Sequence, residues 1–336
     1  MEDEAGEDWR VGSGVAAVGD RTLRHVIVEG ITVRDTLLHG ICLKNAEQSV
    51  IRNTICLRAH DKNITLWNCR DCGIYGNIAS DSEWEDGIML HQVRDPAQAS
   101  RRIMIGNNIC ANNPRYGIHV GANIREIHLS NNLCRENGLN LSLYGDNCTS
   151  TGDVAVGVDD RLYMARVYRP NVLLGGRRVG ASNLTALGTR YAGVEISGSD
   201  VTVMGGRVGD MDLPSPDAPK APGIRIEEGG WGRGSGEFWV EGDGRIGMAL
   251  VPGLSGSGEA VHPNNVRICG VQVEGCRVGL KVMDGVRRVS LRDNAFDRNE
   301  TAAEVADEAW SALRLRDNDG LSSATENWDV SGTNRR

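Results

Sequence analysis

The sequence predicts an all-β solenoid, one elongated domain in which short parallel strands stack coil upon coil. Three observations predict it. First, an apolar residue, a spacer and then Gly or Asn at a corner recur at Val28, Ile51 and Ile74, spaced 23 residues apart. The same shape returns at Ile105, Leu129, Val203, Val240, Ile268, Leu291 and Leu315, with Asp at the corner in the last two. Second, the apolar residues that follow each opener alternate as in strands, with no helical spacing. Third, 43 glycines against only 2 phenylalanines fit a narrow core of stacked Val, Ile and Leu. A strand-type repeat in the low twenties is the signature of a solenoid, in which residues one period apart lie on top of one another.

Residues 1–22 read as a lead-in segment, either disordered or a partial cap. The first coil of a solenoid exposes apolar core and an unpaired strand edge unless something covers it. No cap is legible before Arg24, which points to a longer protein or to a partner over the first coil. The solenoid itself is expected over 23–320. A regular block spans about 24–148. The stretch GDVAVGVDDRLYMARVYRP at 152–170 has no clear register. A second block follows from 171, with Gly175-Gly176 and Gly205-Gly206 at corners and loop excursions at 213–222 and 253–265. The polar segment 321–336 reads as a tail or a cap.

The formal net charge of −8 argues against a nucleic-acid partner, which would call for clustered Lys and Arg. No apolar run is long enough to span a bilayer, so no membrane partner is expected. The N-terminal MEDEAGEDWR carries no signal peptide, which leaves the cytoplasm open as a compartment. The 9 cysteines are odd in number and do not resemble a disulfide framework. Cys56, Cys110 and Cys134 each follow their opener by five residues and should share one column, as small sheltered residues of the coil. Cys69 and Cys72 form a lone C-x-x-C without the second pair that a structural zinc site needs.

The runs MIGNNICANNPRYGIHV (104–120) and LSNNLCRENGLNLSL (129–143) resemble the right-handed parallel β-helix superfamily, over about 24–320. The resemblance implies a right-handed, single-stranded parallel β-helix of roughly 10–12 coils with three strands each. The superfamily contains pectate lyases, polygalacturonases, alginate epimerases and lyases, and phage tailspike depolymerases, together with non-catalytic fibres and adhesins. It implies a polysaccharide or oligosaccharide ligand and a secreted, surface or virion-associated setting. No family's catalytic set transfers. Alginate epimerases carry Asp-Pro-His, whereas here Asp95-Pro96 is followed by Ala97. Polygalacturonase motifs are echoed only by Asp159-Asp160. Pectate-lyase calcium sites need clustered carboxylates beside an arginine, and only Asp61, Glu85 and Asp86 approach that. No cofactor is therefore expected other than Ca2+ at that cluster.

The repeat turns the sequence into a surface. The strands 40–45, 63–68, 87–92, 117–122 and 141–145 align in one column. Strand alternation sends Ile41/Leu43, Ile64/Leu66, Ile88/Leu90, Ile118/Val120 and Leu141/Leu143 inward. Cys42/Lys44, Thr65/Trp67, Met89/His91, His119 and Ser142/Tyr144 then face solvent. The turns before these strands supply His39, His60-Asp61-Lys62, Glu85-Asp86 and Arg115-Tyr116. His91, His119, Asp86, Asp61 and His60 are the candidate catalytic residues. Histidine and carboxyl groups with suitably moved pKa values transfer protons. Paired carboxylates on successive coils could also flank a scissile glycosidic bond. Lys44, Lys62, Trp67, Arg115 and Tyr144 are the candidate substrate-binding residues. The cations suit a uronate carboxylate, and the aromatic rings suit sugar faces.

Each has a plainer reading. An acid before a Gly-led strand often satisfies corner N–H groups, as Asp86 could. His39 and His60 suit simple turns, and Trp67 or Tyr144 could cover a loop or a subunit interface. The second block offers less: Glu195/Ser197, Arg225/Glu227, Ala249/Val251 and Lys281/Met283 read as a solvated sheet face. Three functions follow. The first is a carbohydrate-active enzyme, a polysaccharide lyase, hydrolase or epimerase, on the outer face of coils one to five. The second is a non-catalytic glycan-binding or fibre module, which implies a homotrimer. The third is an intracellular cyclase or isomerase acting on a small molecule.

Overall fold

The computed structural model describes residues 12–91, 96–158, 170–187, 192–197, 200–209, 224–227, 246–250, 253–254, 260–261, 264–274, 278–282, 285–297 and 301–321. They form a parallel β-solenoid with almost no helix. Three sheets run along its length. Sheet one stacks Val15–Arg24, Ile41–Glu47, Ile64–Trp67, Ile88–Leu90, Tyr116–Val120 and Leu139–Leu143, and then continues through the second block. Sheet two stacks Ile27–Glu29, Val50–Arg52, Arg70–Tyr75, Arg101–Gly106 and Arg125–Ser130. Sheet three stacks Thr32–Arg34, Ile55–Leu57, Ile78–Ser80, Ile109–Ala111, Leu133–Asn137 and Val154–Val158.

The openers stack as the period requires: Val28, Ile51, Ile74, Ile105 and Leu129 occupy one register position. Two residues after each opener the backbone turns in the left-handed region, at Gly30 (φ 68°), Asn53 (51°), Gly76 (63°), Asn107 (57°) and Asn131 (54°), and at Asp293 (54°) and Asp317 (51°). That conformation explains the residue types. Glycine adopts it without strain, and Asn and Asp tolerate it best among the others. The inward set of sheet one is wholly buried from Ile41 and Leu43 through Leu141 and Leu143. Cys56, Cys110 and Cys134 share a column with Ala79. Cys69 and Cys72 lie in the same apolar core, with thiols donating to the carbonyls of Leu43 and Ala46.

Buried asparagines tie successive coils together. In one column Oδ1 of Asn108 accepts from the backbone N–H and Nδ2 of Asn77, each at 3.0 Å. Asn132 does the same for Asn108, and Asp153 for Asn132. The other Nδ2 hydrogens donate to the carbonyls of Ile51, Ile74 and Ile105. The corner carbonyls and N–H groups are thereby satisfied where no water reaches them.

Of the stretch without sequence register, Val154–Val158 pairs with Leu133–Asn137, whereas Asp159 and Asp160 lie outside the described residues. So do Asp95, the excursion at 213–222 and nearly all of the 321–336 tail. Among the described residues no helix is long and apolar enough to cross a membrane.

Candidate functional site

The site is built on sheet one, where two columns meet across an inner corner. The first is the outward column of the strands: Cys42, Thr65, Met89, His119 and Ser142 are in register. Lys44 and Trp67 are in register two residues further on. The second lies in the turns. The backbone N–H groups of Gly40, Asn63 and Gly87 bond to the carbonyls of Lys62, Asp86 and Tyr116. His39, Lys62, Asp86 and Tyr116 therefore succeed one another from coil to coil.

The strand alternation holds, but the expected solvent exposure does not. Cys42, Thr65, Met89, His91, His119 and Ser142 are all buried. Only Lys44, Trp67 and Tyr144 are partly open. The reason is packing outside the solenoid core. The Tyr116 ring stacks on His119 at 4.4 Å with 16° between planes, and Tyr144 meets His119 edge-on at 6.0 Å. Trp67 stacks on His91 at 4.8 Å, and Lys44 Nζ lies 5.2 Å from the Trp67 ring centroid. Tyr116, Leu139, Leu173 and Tyr144 form a small apolar cluster of their own. The result is a polar floor in which aromatic rings pack against His91 and His119.

A chain of ion pairs runs through the floor. Lys62 Nζ lies 2.7 Å from Asp61 Oδ2 and 2.9 Å from Glu85 Oε2. Arg115 Nη1 is 3.1 Å from Glu85 Oε1; beside the chain, Nδ1 of the uncharged His39 ring is 3.2 Å from Asp61 Oδ2. Lys62 and Arg115 were expected to meet a substrate carboxylate; here Lys62 is 1% exposed and both cations are held by protein carboxylates. Burial disfavours the charge of each, but their acidic neighbours outweigh it and raise both pKa values.

Asp86 is different. It is wholly buried, and its Oδ1 accepts the backbone N–H of Tyr116 at 3.1 Å. Its Oδ2 has no hydrogen-bond partner. The plainer reading, in which Asp86 satisfies a corner N–H, thus describes one oxygen and leaves the other over. Burial pushes its carboxyl up to about 7; Glu85 and Asp61 add to the rise, while Arg115 and Lys62 oppose it. The neighbouring imidazoles move the other way. Burial, then Lys62, lowers His39 to about 3. Burial holds His91 well below its ordinary value, with Lys62, His39, His119 and Arg115 adding repulsion. His119 Nδ1 is 3.1 Å from Ser142 Oγ. The floor thus combines a carboxyl poised to hold a proton near neutrality with neutral imidazoles beside it.

His91, His119, Asp86, Asp61, Lys62 and Arg115 come together here, with Lys44, Trp67 and Tyr144 at the rim. His60 does not join them. It is exposed, with Nδ1 2.7 Å from Glu83, and its ring faces the exposed Trp84 at 6.2 Å. Sequence reasoning named His39 and Tyr116 in turns and Glu85 in the carboxylate cluster, but none of the three among the candidate catalytic or substrate-binding residues. Aligning the turns as columns, as was done for the strands, would have put His39 and Tyr116 beside Lys62 and Asp86. Among the described residues no three His, Cys, Asp or Glu side chains converge as a metal site. The outward side chains of the second block, including Glu195, Arg225, Glu227 and Lys281, lie outside those described.

The profile of the family described as "Periplasmic copper-binding protein (NosD)" matches residues 11–155. Among solved structures, the N-terminal fragment of gene product 12 of bacteriophage Phi29 is similar at 14% identity with a TM-score of 0.63, over 92% of this chain and 52% of that one. The catalytic domain of a GH87 α-1,3-glucanase in complex with nigerose is similar at 10% identity with a TM-score of 0.51, over 95% of this chain and 63% of that one. The tailspike protein gp49 of Pseudomonas phage LKA1 aligns at 12% identity with a TM-score of 0.49, over 92% of this chain and 46% of that one. This chain thus spans about half to under two thirds of the length of these structures. No curated protein matches it. With the stacked openers, the three parallel sheets and these matches, the chain has the right-handed parallel β-helix fold.

Proposed function

We propose that this chain is a carbohydrate-active β-helix enzyme that binds a glycan over coils one to five and uses Asp86 as its general acid–base. One observation carries the reading: a wholly buried carboxyl, pushed up to about 7, with one oxygen on the Tyr116 N–H and the other unsatisfied. An unsatisfied buried carboxyl oxygen is costly to fold around and is most readily understood as kept for a ligand. Near neutral pH such a group can give a proton to a leaving glycosidic oxygen and take it back. Burial keeps the His91 imidazole neutral, so that it can hydrogen-bond a sugar hydroxyl, and His119 lies on the same face. Trp67, Tyr116 and Tyr144 offer ring faces for sugars. The glucanase likeness is one of fold, and its nigerose complex is a precedent for sugar bound to this architecture.

The test is a panel of neutral and uronate polysaccharides assayed for reducing ends, unsaturated products and epimerised residues. Wild type should turn over at least one of them. Asp86→Asn should abolish turnover, and His119→Ala should lower kcat roughly a hundredfold while the protein stays folded. Turnover that survives Asp86→Asn overturns the assignment of the acid.

A second reading has its own support. Lys62, Arg115, Asp61 and Glu85 are already held in ion pairs within the protein. That is the condition of a glycan-binding module without turnover, a fibre segment working as a trimer. Light scattering that gives a trimer, with tight glycan binding and no product from any substrate, would favour it.

A further inference from the structure

Arg70, Arg101 and Arg125 open strands of sheet two, and with their register neighbours they form a column of charges. Arg24 is in register with Glu47, Glu47 with Arg70, Arg70 with Arg101, Arg101 with Arg125, and Arg125 with Asp146. At both ends the signs alternate and the charges pair: Arg24 with Glu47 at 3.4 Å, Arg70 with Glu47 at 3.7 Å, and Arg177 with Asp146 at 3.5 Å. In the middle the alternation fails. Arg70, Arg101 and Arg125 follow one another on successive coils, about 4.8 Å apart in backbone spacing. Among the described residues neither Arg101 nor Arg125 makes an ion pair, and Nε of Arg101 is buried with no hydrogen-bond partner. The column next to it shows what the fold does elsewhere, with Arg102 held by Asp71 at 2.6 Å and by Glu126 at 3.9 Å.

Like charges directly opposite on adjacent strands are destabilising. The chain has a formal net charge of −8, with 45 acidic residues, so acid is plentiful, yet none among the described residues pairs with these two arginines. We propose that Arg101 and Arg125, with Arg70 beside them, are an anion-binding site that takes the carboxylate or sulfate of an acidic glycan. Guanidinium groups present forked donors that match such groups, and an anion between them removes the repulsion. The ladder lies one corner beyond the aromatic face. Arg70 follows Trp67 by three residues, across the left-handed turn at Asn68 (φ 50°). It also supplies what the floor cannot, because Lys62 and Arg115 are already neutralised there. The glycan identity of the ligand rests on the function proposed above; the anion site rests on the ladder alone.

Two measurements separate them. In the first, thermal unfolding is followed in sodium chloride and in sodium sulfate of equal ionic strength. Sulfate should raise the Tm of wild type more than that of Arg101→Glu or Arg125→Gln. Arg101→Glu restores the alternation and should by itself unfold at a higher temperature than wild type in chloride. Equal sulfate shifts in all three proteins overturn the site. In the second, oligogalacturonate is compared with its methyl ester, and a sulfated oligosaccharide with its desulfated form, by calorimetry. The acidic ligand that binds should weaken roughly tenfold in Arg101→Glu, its neutral counterpart hardly at all. Preference within the first pair assigns a carboxylate, and preference within the second assigns a sulfate. Equal loss for acidic and neutral ligands overturns the charge role. Loss of the sulfate shift in the variants, with no glycan bound by any protein, supports the anion site and removes the glycan reading.

Discussion

Replacing Asp86 by Asn should make the protein more stable and inactive at the same pH, and the size of the gain follows from the carboxyl's environment. In the unfolded chain an Asp titrates near 3.8; in the folded chain burial moves this one up to about 7. Between those two pH values the native state holds a proton that the unfolded chain has released. Raising the pH therefore costs native stability, by about 4 kcal/mol once pH 7 is passed. Below pH 4 both states are protonated and the cost vanishes. Asn cannot ionise, and its Oδ1 can still accept the Tyr116 N–H. Urea unfolding followed by tryptophan fluorescence should give similar stabilities for the two proteins at pH 4. At pH 8 the variant should be the more stable by several kcal/mol, most of the way to the 4 kcal/mol bound. Side chains of this kind are fully shielded from solvent, so screening does not erase the effect. Parallel stability–pH curves for the two proteins would refute the reasoning, because they would mean that Asp86 titrates alike folded and unfolded.

Further outcomes are expected elsewhere. Asn108→Ala should lower stability by about 3–5 kcal/mol in urea titration, since it orphans two N–H groups of Asn77 and the Ile74 carbonyl. Asn108→Asp, which keeps the acceptor and loses the donor, should fall between that variant and wild type. Burial pushes the thiols of Cys42, Cys56 and Cys148 up to about 12. A thiol reagent at pH 8 should therefore label these three only after urea is added, as peptide mass spectrometry would show.

The fold was legible because the repeat encodes backbone conformation as well as core. Gly, Asn and Asp exchange at the corner since each accepts the left-handed turn, so Asn53, Gly76, Asn107 and Asp293 mark the same structural event. Strand alternation correctly divided Ile41 and Leu43 from Cys42 and Lys44. It could not say what lies beyond the outward side. Burial of His91 and His119 comes from Trp67 and Tyr116 folding over them, and a period-two pattern carries no information about such contacts. For the same reason Lys62 read as a substrate-facing cation, although it is buried between two carboxylates. The arginine ladder was hidden by an uneven coil: Arg101 follows Arg70 by 31 residues and Arg125 follows Arg101 by 24, so a fixed period does not superimpose them.

The asparagine column has a direction, and direction imposes an end. Each amide gives one hydrogen to the side chain of the coil that follows and the other to a carbonyl of the coil before, while its oxygen receives from the coil before. Every amide in the row therefore needs a successor. Asp153 needs none: its carboxyl oxygens serve only as acceptors, from Asn132 and from the Ser150 hydroxyl at 2.6 Å. A carboxylate at that position acts as a stop codon does in a reading frame. Grafting further coils of this type after residue 153 would require Asp153→Asn together with a new terminal acid, and shortening the column would require moving the acid back to Asn132.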